Sequence, residues 1–124
     1  MEQDVQLRIL IVDDEREATA TLSKFLNTRG YQTCTAGNGA EALEHVRSNP
    51  CDVVMTDLRM PGMDGADFLA RVRRERPGLP IIVMTGHTTL ENNQQLWVNA
   101  GVTEVLHKPL NLRQVSGILR DLAS

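Results

Sequence analysis

The sequence predicts an α/β domain: a parallel sheet with helices on both faces. Three observations carry this prediction. Short apolar runs rich in β-branched residues recur along the chain, amphipathic helical stripes lie between them, and the two alternate as strand then helix five times over. Parallel strands joined by crossover helices are buried on both faces, so they read as continuous apolar runs.

Taken in order, the strands are Ile9-Leu10-Ile11-Val12, Val53-Val54-Met55, Ile81-Ile82-Val83-Met84 and the weaker stretch from Val102 to Leu106. Each is too short for a buried helix and is bounded by polar or turn residues. A fifth, Gln32 to Ala36, mixes Thr and Cys as an edge strand does. The first helix should bury Ala18, Leu22, Phe25 and Leu26, with Gly30 as its stop. The second carries Ala42, Leu43 and Val46 and closes at Asn49-Pro50; Gly37-Asn38-Gly39 reads as the turn that opens it. The third carries Ala66, Leu69 and Val72, with Asp64 as its cap and Pro77-Gly78 beyond its end. A fourth, from Thr89 to Ala100, is interrupted by Asn92-Asn93-Gln94-Gln95. The last carries Leu112, Val115, Leu119 and Leu122 behind Asn111.

At 124 residues the chain is the size of one domain, here residues 1–124, with no room for a second core or an output module. Hydrophobic residues make up 41% and aromatics only 3%, which suits aliphatic strands under helices. A net charge of −3 supplies no field for non-specific nucleic-acid binding. No apolar run is long enough for a membrane span and no leader is visible, so the expected location is the cytoplasm. Cys34 and Cys51 lack zinc-type or redox-type spacing and are expected to be two buried thiols.

In an open parallel sheet, ligands gather where the strands end at their carboxyl edge. The first strand ends in Asp13-Asp14-Glu15, the third in Asp57, the fourth in Thr85-Gly86 and the fifth in Lys108-Pro109. Carboxylates crowded together in a cleft repel and call for a cation; oxygen ligands from Asp13, Asp14 or Asp57, completed by water, suit Mg²⁺. A lysine opposite the metal can hold a phosphoryl group, a hydroxyl at Thr85 can donate to it, and Asp57 is then the natural nucleophile. Singly, each has a plainer explanation: Asp13-Asp14 as a helix cap, Lys108 as a surface charge, Thr85 as a cap. One such group at each strand end is much harder to obtain by accident.

These stretches carry a resemblance. Ile9 to Glu15, Asp57-Leu58-Arg59-Met60-Pro61-Gly62-Met63-Asp64-Gly65, Met84-Thr85-Gly86 and Lys108-Pro109 resemble bacterial response-regulator receiver domains, in order and in spacing, over essentially the whole chain. The resemblance implies a five-stranded doubly wound sheet of order 2-1-3-4-5, with flavodoxin-like topology. It implies Asp57 as phosphoacceptor, Asp13 and Asp14 as the acidic pair serving Mg²⁺, and Arg59 as the residue whose main-chain carbonyl completes the metal shell. Thr85 matches the switch hydroxyl, Lys108 the phosphate-pairing lysine, and the Lys108–Pro109 bond is expected to be cis. Where the family often has Tyr or Phe three residues before the lysine, this chain has Val105. The response to phosphorylation is therefore expected in Gly86 to Ala100, which includes Trp97.

Other readings fit less well. Gly37-Asn38-Gly39 lacks the third glycine of a dinucleotide loop. A flavodoxin-like nucleotide binder would not place Asp13-Asp14-Glu15 against a phosphate. A haloacid-dehalogenase-type phosphatase would have a second Asp where Arg59 stands. His45, His87 and His107 show no metal-ligand spacing, although His87 could line the mouth of the site. Arg71, Arg73, Arg74 and Arg76 read as a solvated helix face. The expected function is a phosphorelay receiver, not an enzyme acting on a metabolite, taking its phosphoryl group from a sensor histidine kinase or a histidine phosphotransfer protein. An output domain or self-association lies downstream, with no direct contact to nucleic acid or membrane. The alternative is a receiver-like interaction module whose output is independent of phosphate.

Overall fold

A computed structural model describes residues 7–57, 59–60, 63–86 and 100–123; of residues 59, 60, 63 and 64 it describes the main chain. The elements run β1 (Arg8–Val12), α1 (Arg16–Thr28), β2 (Gln32–Ala36), α2 (Gly39–Ser48), β3 (Val53–Asp57), β4 (Arg59–Met60), β5 (Met63–Asp64), α3 (Gly65–Glu75), β6 (Ile81–Thr85), β7 (Glu104–His107) and α4 (Leu112–Ala123). Five strands form a parallel sheet in the order β2-β1-β3-β6-β7, which is 2-1-3-4-5 counted along the chain among those five. The expected helix from Thr89 to Ala100, with His87 and Trp97, falls almost wholly outside the described residues.

The alternation of side chains along each strand divides the core in two. Leu10, Val12, Val54, Ile81 and Val83 face α2 and α3, where Leu43, Val46, Phe68, Leu69 and Val72 meet them. Ile9, Ile11, Met55, Ile82 and Met84 face α1 and α4, against Leu22, Leu26, Val115 and Leu119. Strands β3 and β6 are buried at every residue, as their unbroken apolar runs require. Helix α2 opens as anticipated: the Asn38 side chain accepts from the Glu41 amide at 2.8 Å, and Glu41 accepts from the Gly37 amide at 2.9 Å. Asn111 caps α4 by accepting from Gln114 N–H at 3.1 Å. The Lys108–Pro109 peptide is cis, as the resemblance implied.

Several expectations need correction. Ala18 is exposed, and Thr19 turns inward in its place because its hydroxyl donates back to the Arg16 carbonyl at 2.9 Å. Phe68, absent from the expected stripe, is fully buried, whereas Ala66 is only half-buried. The last strand begins at Glu104 and not at Val102. Cys51 is buried, and burial pushes its thiol above the ordinary value, but Cys34 is exposed on β2.

The arginine run is not uniformly solvated. Arg73 is half-buried and its guanidinium donates to five main-chain carbonyls: Ala100 at 2.8 Å, Arg76 at 3.3 Å, Pro77 at 2.7 Å, Leu79 at 2.8 Å and Gly101 at 3.2 Å. Arg76 donates to the Cys51 carbonyl at 3.2 Å. Gly101 takes φ +66°, a conformation glycine adopts without cost, and lies directly against the Arg73 side chain.

Candidate functional site

Strand register assembles the site. Val12 pairs with Thr56, so Asp13 stands level with Asp57 on the neighbouring strand. Thr85 pairs with His107, which sets Lys108 beside Gly86 at the next step. The Lys108 amide donates to the Thr85 carbonyl at 2.8 Å, continuing that ladder past the end of β7. Each chemical group thus follows directly from where an apolar run stops and the chain turns polar.

Asp13, Asp57 and Thr85 are buried at 4%, 8% and 8% relative exposure, unusual for two carboxylates unless they are paired. The pairing is Lys108: its Nζ lies 2.7 Å from Asp13 Oδ2 and 2.7 Å from Asp57 Oδ2. Glu15 Oε1 is at 4.0 Å from the same nitrogen, on a side chain that reaches into solvent. Asp13 is held by its own loop, since its Oδ1 accepts the Glu15 amide at 3.1 Å. Two acidic strand ends therefore converge on one ammonium.

Partial burial is the largest influence on the Lys108 ammonium and lowers its pKa, but the hydrogen bonds to Asp13 and Asp57, with their charges, outweigh it and raise the value above the ordinary 10.5. A raised lysine contributes stability that is fully present below its ordinary value and fades as pH climbs through the raised one. The lysine bridge is thus intact throughout the neutral range and is lost only above pH 10.5. Replacing it with Lys108→Met leaves Asp13 and Asp57 facing each other without a cation. Breaking such a pair should cost roughly 1–3 kcal/mol, the lower part of the range for buried pairs because the lysine is partly exposed. Urea unfolding at pH 7 checks this, and the deficit should narrow as pH rises above 10.5 and the wild-type lysine loses its charge. An equal deficit at both pH values would mean that lost packing, and not charge, is responsible.

The expected metal set is only partly assembled. Among the described residues no three acidic, histidine or cysteine side chains lie together as a closed cage. Asp13 and Asp57 do converge, Asp14 is exposed beside them, and Arg59 contributes main chain two residues past Asp57, where β4 pairs with β5. This donor set still fits Mg²⁺, which is bound through one or two carboxylates and retains several waters. An open cleft of about 480 Å³ leads away from Lys108 between α1 and the turn into α4. Ala18, Leu22, Pro109, Leu110 and Leu112 give it largely apolar walls, with Asp13 at one end.

The family model for the response regulator receiver domain matches residues 9–120. The chain belongs to that family. The receiver is 33% identical over 111 residues to the DNA-binding transcriptional regulator NtrC of Escherichia coli, which covers 90% of this chain and 24% of the relative. It is 33% identical over 116 residues to the response regulator MprA of a Mycobacterium species, covering 94% of this chain and 50% of the relative. It spans, then, between a quarter and half the length of these curated relatives. Among solved structures it superposes on a CheY-like receiver domain protein of Methanospirillum hungatei with TM-score 0.87 and 30% identity, covering 95% of this chain and 94% of the other. The chemotaxis protein CheY4 of Vibrio cholerae gives TM-score 0.86 and 31% identity, with 95% and 99% covered. Among the described residues of the receiver no helix is long and apolar enough to cross a membrane.

Two parts of the site escaped the sequence: the bridging of both carboxylates by one lysine, and the apolar cleft beside it. The strand ends already named the residues of the bridge, but which carboxylates share Lys108 depends on side-chain geometry. No sequence signal marks the cleft, because Ala18, which lines it, is indistinguishable in sequence from a core alanine.

Proposed function

We propose that the receiver accepts a phosphoryl group on Asp57 from a phosphohistidine of a sensor kinase or phosphotransfer protein, and that the phosphorylated form differs in conformation. The observation that carries this reading is Lys108 Nζ at 2.7 Å from Asp57 Oδ2. A cation already on the acceptor carboxylate stands ready for the anionic oxygens that arrive with the phosphoryl group. In the transfer, the donor's P–N bond breaks and a P–O bond forms to an Asp57 carboxylate oxygen. Bound at Asp13, Asp14 and Asp57, Mg²⁺ would neutralise the charge that accumulates on those oxygens. Thr85, one strand over, supplies a hydroxyl donor that can follow the phosphoryl group. The cleft beside Ala18 and Leu110 gives a donor protein an apolar surface next to the acceptor. The receiver turns over no separate metabolite; its chemistry is its own phosphorylation and the hydrolysis of its aspartyl phosphate. The setting is cytoplasmic, with an output domain or another protein reading the change.

Incubation with acetyl phosphate and Mg²⁺, followed by intact mass measurement, tests this directly. One phosphoryl increment is expected, lost when EDTA replaces the metal. No increment in the presence of metal, from acetyl phosphate or from a phosphorylated donor protein, would favour a phosphate-independent interaction module.

A further inference from the structure

Five polar side chains are buried among the described residues: Asp13, Thr19, Thr56, Asp57 and Thr85. Asp13, Asp57 and Thr85 belong to the site, and Thr19 bonds to its own helix. Thr56 has no part in either. It lies at 0% exposure inside the sheet, paired with Val12 of β1 and Val83 of β6. Both valines belong to the core on the α2–α3 side, and residues in register across a sheet share one face. Valine differs from threonine there chiefly by lacking the hydroxyl, so packing alone gives no reason for one. A buried hydroxyl without a partner is costly, and what it bonds to is therefore informative.

The partner is the main chain of the acceptor residue. Thr56 Oγ1 donates to the Asp57 carbonyl oxygen at 2.8 Å. That oxygen belongs to the peptide unit by which the chain leaves β3. One residue later β4 begins at Arg59, and β4 is tied to β5 by the pairs Arg59–Asp64 and Met60–Met63. Gly65, which opens α3, follows immediately. A short paired unit hung between Asp57 and α3 takes its direction from the peptide at its root, because a peptide unit is planar and turns as one body. We propose that Thr56 is a positioning residue: its hydroxyl fixes the peptide plane that leaves Asp57 and so sets the Arg59 main chain relative to the Asp57 carboxylate. This rests on the receiver reading and deepens it, since Asp57 and the Arg59 main chain both belong to the donor set for Mg²⁺. Outer groups that orient metal ligands typically carry about 10–100-fold in metal affinity.

Two variants separate the hydroxyl from the packing. Thr56→Val keeps the shape and removes the donor; Thr56→Ser keeps the donor and removes a methyl group. Calorimetric titration with Mg²⁺ at pH 7, on protein carrying no phosphoryl group, reads metal affinity without any turnover. Thr56→Val should bind Mg²⁺ about tenfold more weakly, and Thr56→Ser should stay close to wild type. The acetyl phosphate reaction should show the same split. Thr56→Val should need about tenfold more Mg²⁺ for half its maximal labelling rate, yet approach the wild-type rate at saturation. Metal-free amide hydrogen exchange supplies a third reading, faster in β4 and β5 of Thr56→Val than of Thr56→Ser. Urea midpoints establish that both variants are folded, and metal affinity should follow the hydroxyl whichever variant is the less stable. Affinity lost equally in both variants, or in Thr56→Ser alone, would assign Thr56 to packing and overturn the proposal. Unchanged affinity in Thr56→Val, where the wild type binds the metal and takes the label, overturns this proposal alone. A wild type that does neither overturns the receiver reading and this proposal with it.

Discussion

Asp57→Asn is expected to abolish the phosphoryl increment produced by acetyl phosphate and Mg²⁺, and to do so without weakening the fold. The amide cannot form an acyl phosphate, and among the described residues the other buried carboxylate, Asp13, is engaged by Lys108 and by the Glu15 amide. Stability should move by no more than about 1 kcal/mol, because the substitution removes one of two like charges and leaves the Lys108–Asp13 pair in place. The pairing of outcomes matters: full loss of label with an unchanged urea midpoint separates loss of the nucleophile from loss of structure. Label that persists at wild-type yield would move the acceptor away from Asp57. Asp14→Asn, at an exposed carboxylate beside the site, should slow labelling without eliminating it.

Arg73→Ala is expected to be the most destabilising single surface-reachable substitution, by about 2–4 kcal/mol. Its guanidinium joins the end of α3, the loop leading to β6, and the Ala100–Gly101 turn ahead of β7. Truncation releases five carbonyls at once, some of which regain water and some of which do not. Arg73→Lys should recover only part of the loss, since one ammonium on a flexible stem cannot span a fork of three nitrogens. Arg71→Ala is the control. Its 3.1 Å pair with Asp67 is exposed and one helical turn apart, so about 0.5 kcal/mol or less is at stake. Urea midpoints at constant slope measure all three. If Arg73→Ala shifts the midpoint no further than Arg71→Ala, the network contributes nothing beyond a surface pair.

The contrast between these arginines shows what could be read from the sequence. Strands buried on both faces were legible because burial demands unbroken apolar runs, and Ile81 to Met84 could be little else. The site was legible for a related reason: Asp13, Asp57, Thr85 and Lys108 sit where such runs stop, and a parallel sheet brings all its stops to one edge. Helix phase was less legible. Ala18 and Thr19 differ by one position, and a hydroxyl that can bond to its own helix backbone sits inside as readily as a methyl group. Arg73 was illegible because long amphipathic side chains look alike in sequence whether they end in water or among carbonyls. Which they do depends on loops folded from Leu79 and Ala100, distant from Arg73 along the chain. The short β4–β5 pair around Pro61-Gly62 gave no periodic signal, being only two residues on each side. The exposure of Cys34 was illegible because an apolar thiol on an edge strand is exposed by topology and not by composition.

The division of the core by the sheet bears on how such a domain can change over time. Side chains on the α1–α4 side and on the α2–α3 side scarcely share a neighbour, so substitutions on opposite sides should add independently. The strands themselves are common to both, and they hold Asp13, Asp57, Thr85 and Lys108 at their ends. One side can therefore be recomposed while the other keeps the strand ends in register.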